Sequence, residues 1–175
     1  MTKTHPDLIK AIRDVPDFPK KGILFKDITT LLTRGELFKK VIDELGAHFK
    51  DKKIDKIVGI ESRGFIFGSA LAYKLGAGLV PVRKKGKLPY KTVTASYQLE
   101  YGTDTLEMHE DALEGAKHVL VVDDLLATGG TAKATAELVE KVGGKIAGYA
   151  FLIELLFLKG RDKLKGRDVF AILRL

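Results

Sequence analysis

An α/β fold, with a parallel twisted sheet covered by helices on both faces, is what this sequence predicts, and three observations predict it. Short apolar runs at 56–60, 78–82 and 119–122 read as strands buried on both faces. Stretches with apolar residues at helical spacing stand between them, so strand and helix alternate and right-handed crossovers follow. Where two of these runs end, the chain passes through small and charged residues, at 61–64 and 123–131, before the next helix begins. Open sheets of this kind bind ligands at the carboxyl ends of their strands.

Taken in order, a short helix is expected over 6–13, followed by an irregular segment, 14–27, punctuated by Pro16, Pro19 and Gly22. Leu37, Phe38, Val41, Ile42, Leu45 and Phe49 trace one helical face. A strand at 56–60, a loop at 61–64, a helix over 65–75 and a strand at 78–82 come next. A less regular region, 83–115, precedes the strand 119–122 and a helix over 132–142, in which Ala132, Thr135, Val139 and Val142 recur at helical spacing. A strand near 146–154, a basic loop over 159–165 and a terminal strand near 169–173 complete the chain. No repeat, low-complexity segment or long linker divides it, so residues 1–175 are expected to form one domain. Specificity is expected in the two irregular pieces.

Composition narrows the function. The 175 residues are 45% hydrophobic, enough for a substantial core. There is no cysteine, which removes disulfides, thiolate nucleophiles and cysteine-ligated zinc together and fits a cytoplasmic protein. Residues 1–10 carry no apolar signal core, and the longest apolar stretch, 146–158, spans thirteen residues and is interrupted by Glu154. That is too short to cross a bilayer. The net charge of +7 points to an anionic partner: nucleic acid, a membrane surface or a polyphosphate metabolite. The four histidines, His5, His48, His109 and His118, show no metal-ligand spacing and are expected to be structural.

The segment 119–131, VLVVDDLLATGGT, carries the most chemistry. Four apolar residues run into Asp123 and Asp124, and then into Ala127, Thr128, Gly129, Gly130 and Thr131, where a helix begins. Backbone N–H groups at the glycines, the partial positive charge of the helix start and the two threonine hydroxyls make a cradle for a phosphate. Two carboxylates beside it would repel the phosphate itself, so their partners are hydroxyl donors or a metal, and a ribose phosphate offers both groups. The loop G-x-x-x-x-G-K-[ST] of nucleotide hydrolases and the dinucleotide fingerprint G-x-G-x-x-G are both absent.

Two further clusters bear on this site. Glu61, Ser62, Arg63 and Gly64 follow a strand and precede a helix, the same topological position, and the forked donors of Arg63 suit a second phosphate or a pyrophosphate. Arg83, Lys84, Lys85, Lys87 and Lys91 place five cations in nine residues around Gly86 and Pro89. Such a run is a solvated loop, a nucleic-acid patch or a mobile arm that closes over pyrophosphate. Stacking on single-stranded bases needs interleaved aromatics, and Tyr90 is the only one here. The piece 92–101, with Tyr97, Glu100 and Tyr101, alternates as a hairpin arm does, and Glu100 is a candidate acid or base.

These residues resemble the type I phosphoribosyltransferases, whose hallmark is an apolar strand, two acids and a small-residue turn. Within that group the similarity is to the adenine-using members. It runs through five blocks in order: PDFPKKGILFKDIT (16–29), ESRGF (61–65), RKKGKLP (83–89), ASYQLEYG (95–102) and VVDDLLATGGT (121–131).

The resemblance implies a purine-salvage enzyme that joins adenine to 5-phospho-α-D-ribose 1-diphosphate (phosphoribosyl pyrophosphate), giving AMP and diphosphate. It implies a homodimer with Mg2+ held mainly by substrate and water, and no nucleic-acid or membrane partner. Asp123 and Asp124 would hold the ribose hydroxyls, and Ala127, Thr128, Gly129, Gly130 and Thr131 the 5-phosphate. Glu61, Ser62 and Arg63 would face the pyrophosphate, through a non-proline cis peptide of the kind common in this fold. Arg83 and Lys87 would neutralise the leaving group, Arg83 reaching toward the partner subunit. Leu24, Phe25, Lys26 and Leu126 would make the adenine pocket, Phe25 stacking on the ring. Residues 1–34 would form a small base-binding hood. Residues 83–104 would form a flexible lid carrying Lys84, Lys85, Glu100 and Tyr101. The chain departs from the family pattern at Lys26, where many members have arginine, and at Glu61, where some have aspartate. The rivals are a related enzyme using xanthine or another 6-oxopurine, and a regulator that senses phosphoribosyl pyrophosphate while binding nucleic acid.

Overall fold

The computed structural model describes residues 5–98 and 103–175. In chain order its elements are α1 (Pro6–Ala11), β1 (Arg13–Pro16), β2 (Leu24–Asp27), α2 (Thr29–Leu32), α3 (Gly35–Phe49), β3 (Lys56–Ile60), α4 (Arg63–Leu75) and β4 (Gly78–Lys84). They continue with β5 (Thr92–Gln98), β6 (Thr103–His109), β7 (His118–Leu126), α5 (Gly130–Lys141), β8 (Lys145–Glu154), two 3-10 turns (Leu156–Leu158 and Gly160–Leu164) and β9 (Val169–Arg174). The main sheet has the order β5-β6-β4-β3-β7-β8-β9. From β4 to β9 neighbouring strands are parallel, while β6 is antiparallel to β4 and to β5.

The central strands are apolar throughout because both faces are covered. On one face Val41, Ile42, Leu45 and Phe49 of α3 and Phe67 and Leu71 of α4 pack with Ile57, Leu120 and Val122. On the other, Ala132, Leu138 and Val139 of α5 pack with Val58, Val119 and Val121. The spacing of these helix residues, three or four apart, is what turns one stripe of each helix to the sheet. α4 ends at Gly76, whose φ of +67° closes the helix in a left-handed residue.

Three expectations change at this level. The segment 14–27 is not wholly irregular: β1 and β2 pair antiparallel, Arg13 with Asp27 through Pro16 with Leu24. Each strand is only four residues long, too short to show a period. The region 83–115 likewise contains the β5–β6 hairpin, joined to the main sheet through Arg83–Glu107 and Lys84–Leu106. The strand that begins near 119 runs on through both aspartates to Leu126, because β8 lies beside it to Glu154 and supplies partners that no local pattern announces. Glu100 and Tyr101 lie outside the described residues.

Candidate active site

β3 and β7 are neighbours, and their ladder stops at Gly59 and Val122. Beyond that pair the chain leaves β3 through α4 toward β4 on one side, while β7 leads through α5 to β8 on the other. A crevice therefore opens between the two strand ends, the switch point at which such sheets take ligands. Both helices that start there, α4 at Arg63 and α5 at Gly130, lack a capping side chain, so their first N–H groups are left for a ligand. The Glu61–Ser62 peptide leading into α4 is cis.

α4 comes very near the acidic pair. A Cβ at Gly64 would stand 2.7 Å from the Val122 carbonyl oxygen and 2.9 Å from Asp123 Oδ1, so only glycine lets the first turn of α4 approach this closely. Asp123 Oδ1 accepts the N–H of Asp124 at 2.9 Å. Asp124 is 4% exposed, and Arg63 Nε lies 3.0 Å from its Oδ2. That approach lies off the N–H direction, and Oδ2 accepts no hydrogen bond from the described residues. Burial pushes the Asp123 carboxyl well above the ordinary range, and the neighbouring charge of Asp124 adds to the push. Burial raises Asp124 as well, with Arg63 pulling against it. A buried acceptor that lacks a donor beside two reluctant carboxylates is a place prepared for hydroxyl donors.

Next to the pair, Asp123, Leu126, Ala127, Thr128, Gly129 and Thr131 are among the residues lining a cavity of about 60 Å³. Gly129 has φ of +76° and hands the chain to α5. Tyr97 of β5 lies across the loop, its ring 3.3 Å from where a Cβ on Gly130 would be. The hairpin that carries Tyr97 is thus docked over the start of α5.

On the opposite wall Glu61 gathers the basic run. Its carboxylate accepts Lys87 Nζ at 2.6 Å, Arg83 at 3.3 Å through two nitrogens and the N–H of Lys84 at 3.1 Å. Burial alone would raise this carboxyl, but the hydrogen bonds from Lys87 and Arg83 outweigh it and hold the pKa at about 2. Lys84 pairs with Asp104 at 3.1 Å. At the third wall the guanidinium of Arg63 lies 5.0 Å above the ring of Phe25, and Phe18 meets that ring edge-on at 5.1 Å.

The phosphoribosyl transferase domain family matches this chain over residues 28–170. The chain belongs to that family. Among phosphoribosyltransferase relatives, the adenine phosphoribosyltransferase of Solibacter usitatus is 60% identical over 169 residues, covering 97% of this chain and 98% of its own. The crystal structure of adenine phosphoribosyltransferase from Rhodothermus marinus is 58% identical, covers 97% of both chains and superposes with a TM-score of 0.92. The Saccharomyces cerevisiae adenine phosphoribosyltransferase is 47% identical, with a TM-score of 0.89 over 95% of this chain and 97% of that one. It was solved with D-2,5-dideoxy-2,5-imino-altritol 1,6-bisphosphate and adenine.

Within this phosphoribosyltransferase frame the expected residues divide into three groups. Asp123, Asp124 and Ala127 to Thr131 come together at the switch point. Glu61, Arg83 and Lys87 form one ion-pair cluster, and Lys85 stands exposed beside it. Phe25 is joined to the acidic pair through Arg63. Leu24 is half exposed on β2, and Lys26 is tied to Asp14 at 2.6 Å. Leu126 is 1% exposed, packs with Val121 and Ala132 and lines the phosphate-loop cavity. Among the described residues no three acidic, histidine or cysteine side chains are arranged to hold a metal, and no helix is long and apolar enough to cross a membrane.

Sequence reasoning passed over Glu107 and Glu154. Glu107, 4% exposed, accepts the N–H of Lys87 and of Leu88 at 2.8 Å each and so shapes the basic turn. Glu154, 3% exposed, is held by Arg161 and Arg174. Glu154 had a signal, an acid closing the apolar run of β8, a position that requires a partner, whereas Glu107 stands in the mixed strand TDTLEMH and had none.

Proposed function

We infer that this phosphoribosyltransferase joins adenine to phosphoribosyl pyrophosphate, releasing AMP and diphosphate in purine salvage. The observation that carries the reading is the buried Asp124 Oδ2 without a donor, beside a small-residue loop whose helix has no cap. A ribose 5-phosphate satisfies both, its hydroxyls donating to Asp123 and Asp124 and its phosphate seated on the N–H groups of Ala127 to Thr131. Leu126 forms the floor beneath the phosphate. Adenine lies against Phe25, with Leu24 and Lys26 on the same strand, and Arg63 links the base wall to the ribose carboxylates. Ser62 and Arg63, at the open start of α4, stand where the pyrophosphate leaves. Lys87 and Arg83 neutralise it, exchanging Glu61 for the anion.

The chemistry is substitution at the ribose anomeric carbon: the bond to pyrophosphate breaks, the bond to the adenine nitrogen forms, and an oxocarbenium-like ribose lies between. The chain's part is to hold the reactants in line, to place carboxylates near the developing positive charge and to exclude water. Glu100, Tyr101 and the lid of 83–104 complete that enclosure, with Glu100 taking the proton that adenine loses. Mg2+ would be carried mainly on the substrate and water, and would supply charge neutralisation to the departing diphosphate. A cytoplasmic homodimer completes the proposal.

A purine panel tests the reading. Adenine and hypoxanthine present opposite donor and acceptor patterns at N1 and position 6, so the wrong base leaves about two polar groups unpaired at about 1–3 kcal/mol each. A preference for adenine of roughly a hundredfold or more in kcat/KM is expected. Equal efficiency with hypoxanthine would overturn the adenine assignment.

A further inference from the structure

The segment after β8 was legible in the sequence only as a basic loop, and the function proposed above gives it no part. Its backbone is pressed against the phosphate loop. A Cβ at Gly160 would overlap the carbonyl oxygen of Ala127 and stand 2.9 Å from the N atom of Gly129. A Cβ at Gly129 would in turn overlap the carbonyl of Gly160. Two glycines therefore meet main chain to main chain, and neither position admits a side chain.

What holds Gly160 there is the next residue. Arg161 Nε donates to Glu154 Oε1 at 2.8 Å, its Nη2 donates to Oε2 at 2.5 Å, and its Nη1 donates to the Val169 carbonyl oxygen at 2.6 Å. Glu154 is the last residue of β8 and stands in register with Leu126, the last of β7, while the N–H of Leu155 donates to the Leu126 carbonyl oxygen at 2.9 Å. The forked guanidinium thus ties the segment to the strand end from which the phosphate loop departs.

We infer that Gly160 and Arg161 are positioning residues for the phosphate site: Arg161, clamped by Glu154, holds Gly160 against Ala127 and Gly129 and so sets the direction of the loop's N–H groups. The inference rests on reading 127–131 as the 5-phosphate cradle. The donors of a pre-shaped cradle need no reorganisation on binding, so a brace behind them acts on affinity for the phosphorylated substrate more than on the base.

The test uses the full chain in three forms, wild type, Gly160→Ala and Arg161→Lys, the last keeping charge and length but losing the fork. Steady-state constants for both substrates are measured, together with competition by ribose 5-phosphate, which carries neither base nor pyrophosphate. Both variants are expected to raise the KM for phosphoribosyl pyrophosphate and the Ki for ribose 5-phosphate by about tenfold, the ratio that accompanies loss of one hydrogen bond to a charged group. The KM for adenine should move less than twofold or so on the same reasoning. If Gly160→Ala does not fold, Arg161→Lys decides. Ribose 5-phosphate that competes with wild type and equally with a folded variant overturns the brace while leaving the phosphate site standing. Ribose 5-phosphate that fails to compete with wild type overturns the site and the brace together.

Discussion

Arg63 Nε lies 3.0 Å from Oδ2 of Asp124, although Arg63 opens the helix that follows β3 and Asp124 lies near the end of β7. The same guanidinium covers the ring of Phe25. One side chain therefore spans the crevice from the base wall to the ribose carboxylates, and its position makes the two halves of the site interdependent.

Asp123→Asn and Asp124→Asn should separate function from stability. Each removes an acceptor that a ribose hydroxyl would use, and turnover should fall by about ten- to a hundredfold, as expected for a lost hydrogen bond to a charged group. Burial raises both carboxyls and the charge of Asp124 raises Asp123 further, so Asp123→Asn should leave the melting temperature unchanged or higher by a few degrees, about 2–4 °C per kcal/mol for a chain of this size. Unchanged turnover in both variants would remove the ribose assignment.

Phe25→Ala removes the ring that Arg63 and Phe18 both touch. Stacking of a base on an aromatic ring contributes about 1–3 kcal/mol, so the KM for adenine should rise about tenfold, and more than that for phosphoribosyl pyrophosphate. A larger effect on the second substrate would place the base elsewhere.

Glu61 gives the fold an acid-sensitive joint. Its carboxyl is held at about 2 against an ordinary value of 4.5. A depressed carboxyl stabilises the fold fully above its unfolded value, and the contribution is lost as pH falls through the folded value. Stability should therefore decline between about pH 4.5 and 2, by at most about 3 kcal/mol from this group. In Glu61→Gln, chemical denaturation at a series of pH values should show a flatter acid limb, and an unaltered limb would contradict the ion-pair cluster.

Glu107→Gln should loosen the basic turn. Burial would raise this carboxyl, yet the N–H groups of Gly86, Leu88 and Lys87 hold it below its ordinary value. An amide keeps one oxygen for Lys87 and Leu88 but sets a donor where the second oxygen stood, toward the N–H of Gly86, at a cost of about 1–3 kcal/mol. Trypsin should then cut after Lys85 or Lys87 faster than in wild type, and phosphoribosyl pyrophosphate with Mg2+ should slow the cleavage. Identical digestion rates would show that Glu107 does not shape the turn.

The parts of this protein written in the sequence are those with a short-range cause. Apolar runs buried on both faces marked β3, β4 and β7, helical spacing marked α3, α4 and α5, and Asp-Asp followed by a small-residue turn marked the crevice. Those patterns fit within a few turns of chain, so neighbouring residues alone reveal them. Local pattern failed where pairing was distant. The β1–β2 hairpin lacked period, only the first arm of the β5–β6 hairpin alternated, and β7 ran past its apolar residues because β8 supplied partners as far as Glu154. Only the tertiary structure set Glu61 against Arg83 and Lys87, twenty or more residues on, Arg63 between Phe25 and Asp124, and Gly160 against Gly129. Each of these contacts depends on which strands lie side by side, and strand order is decided by the packing of the whole sheet, not by any segment alone.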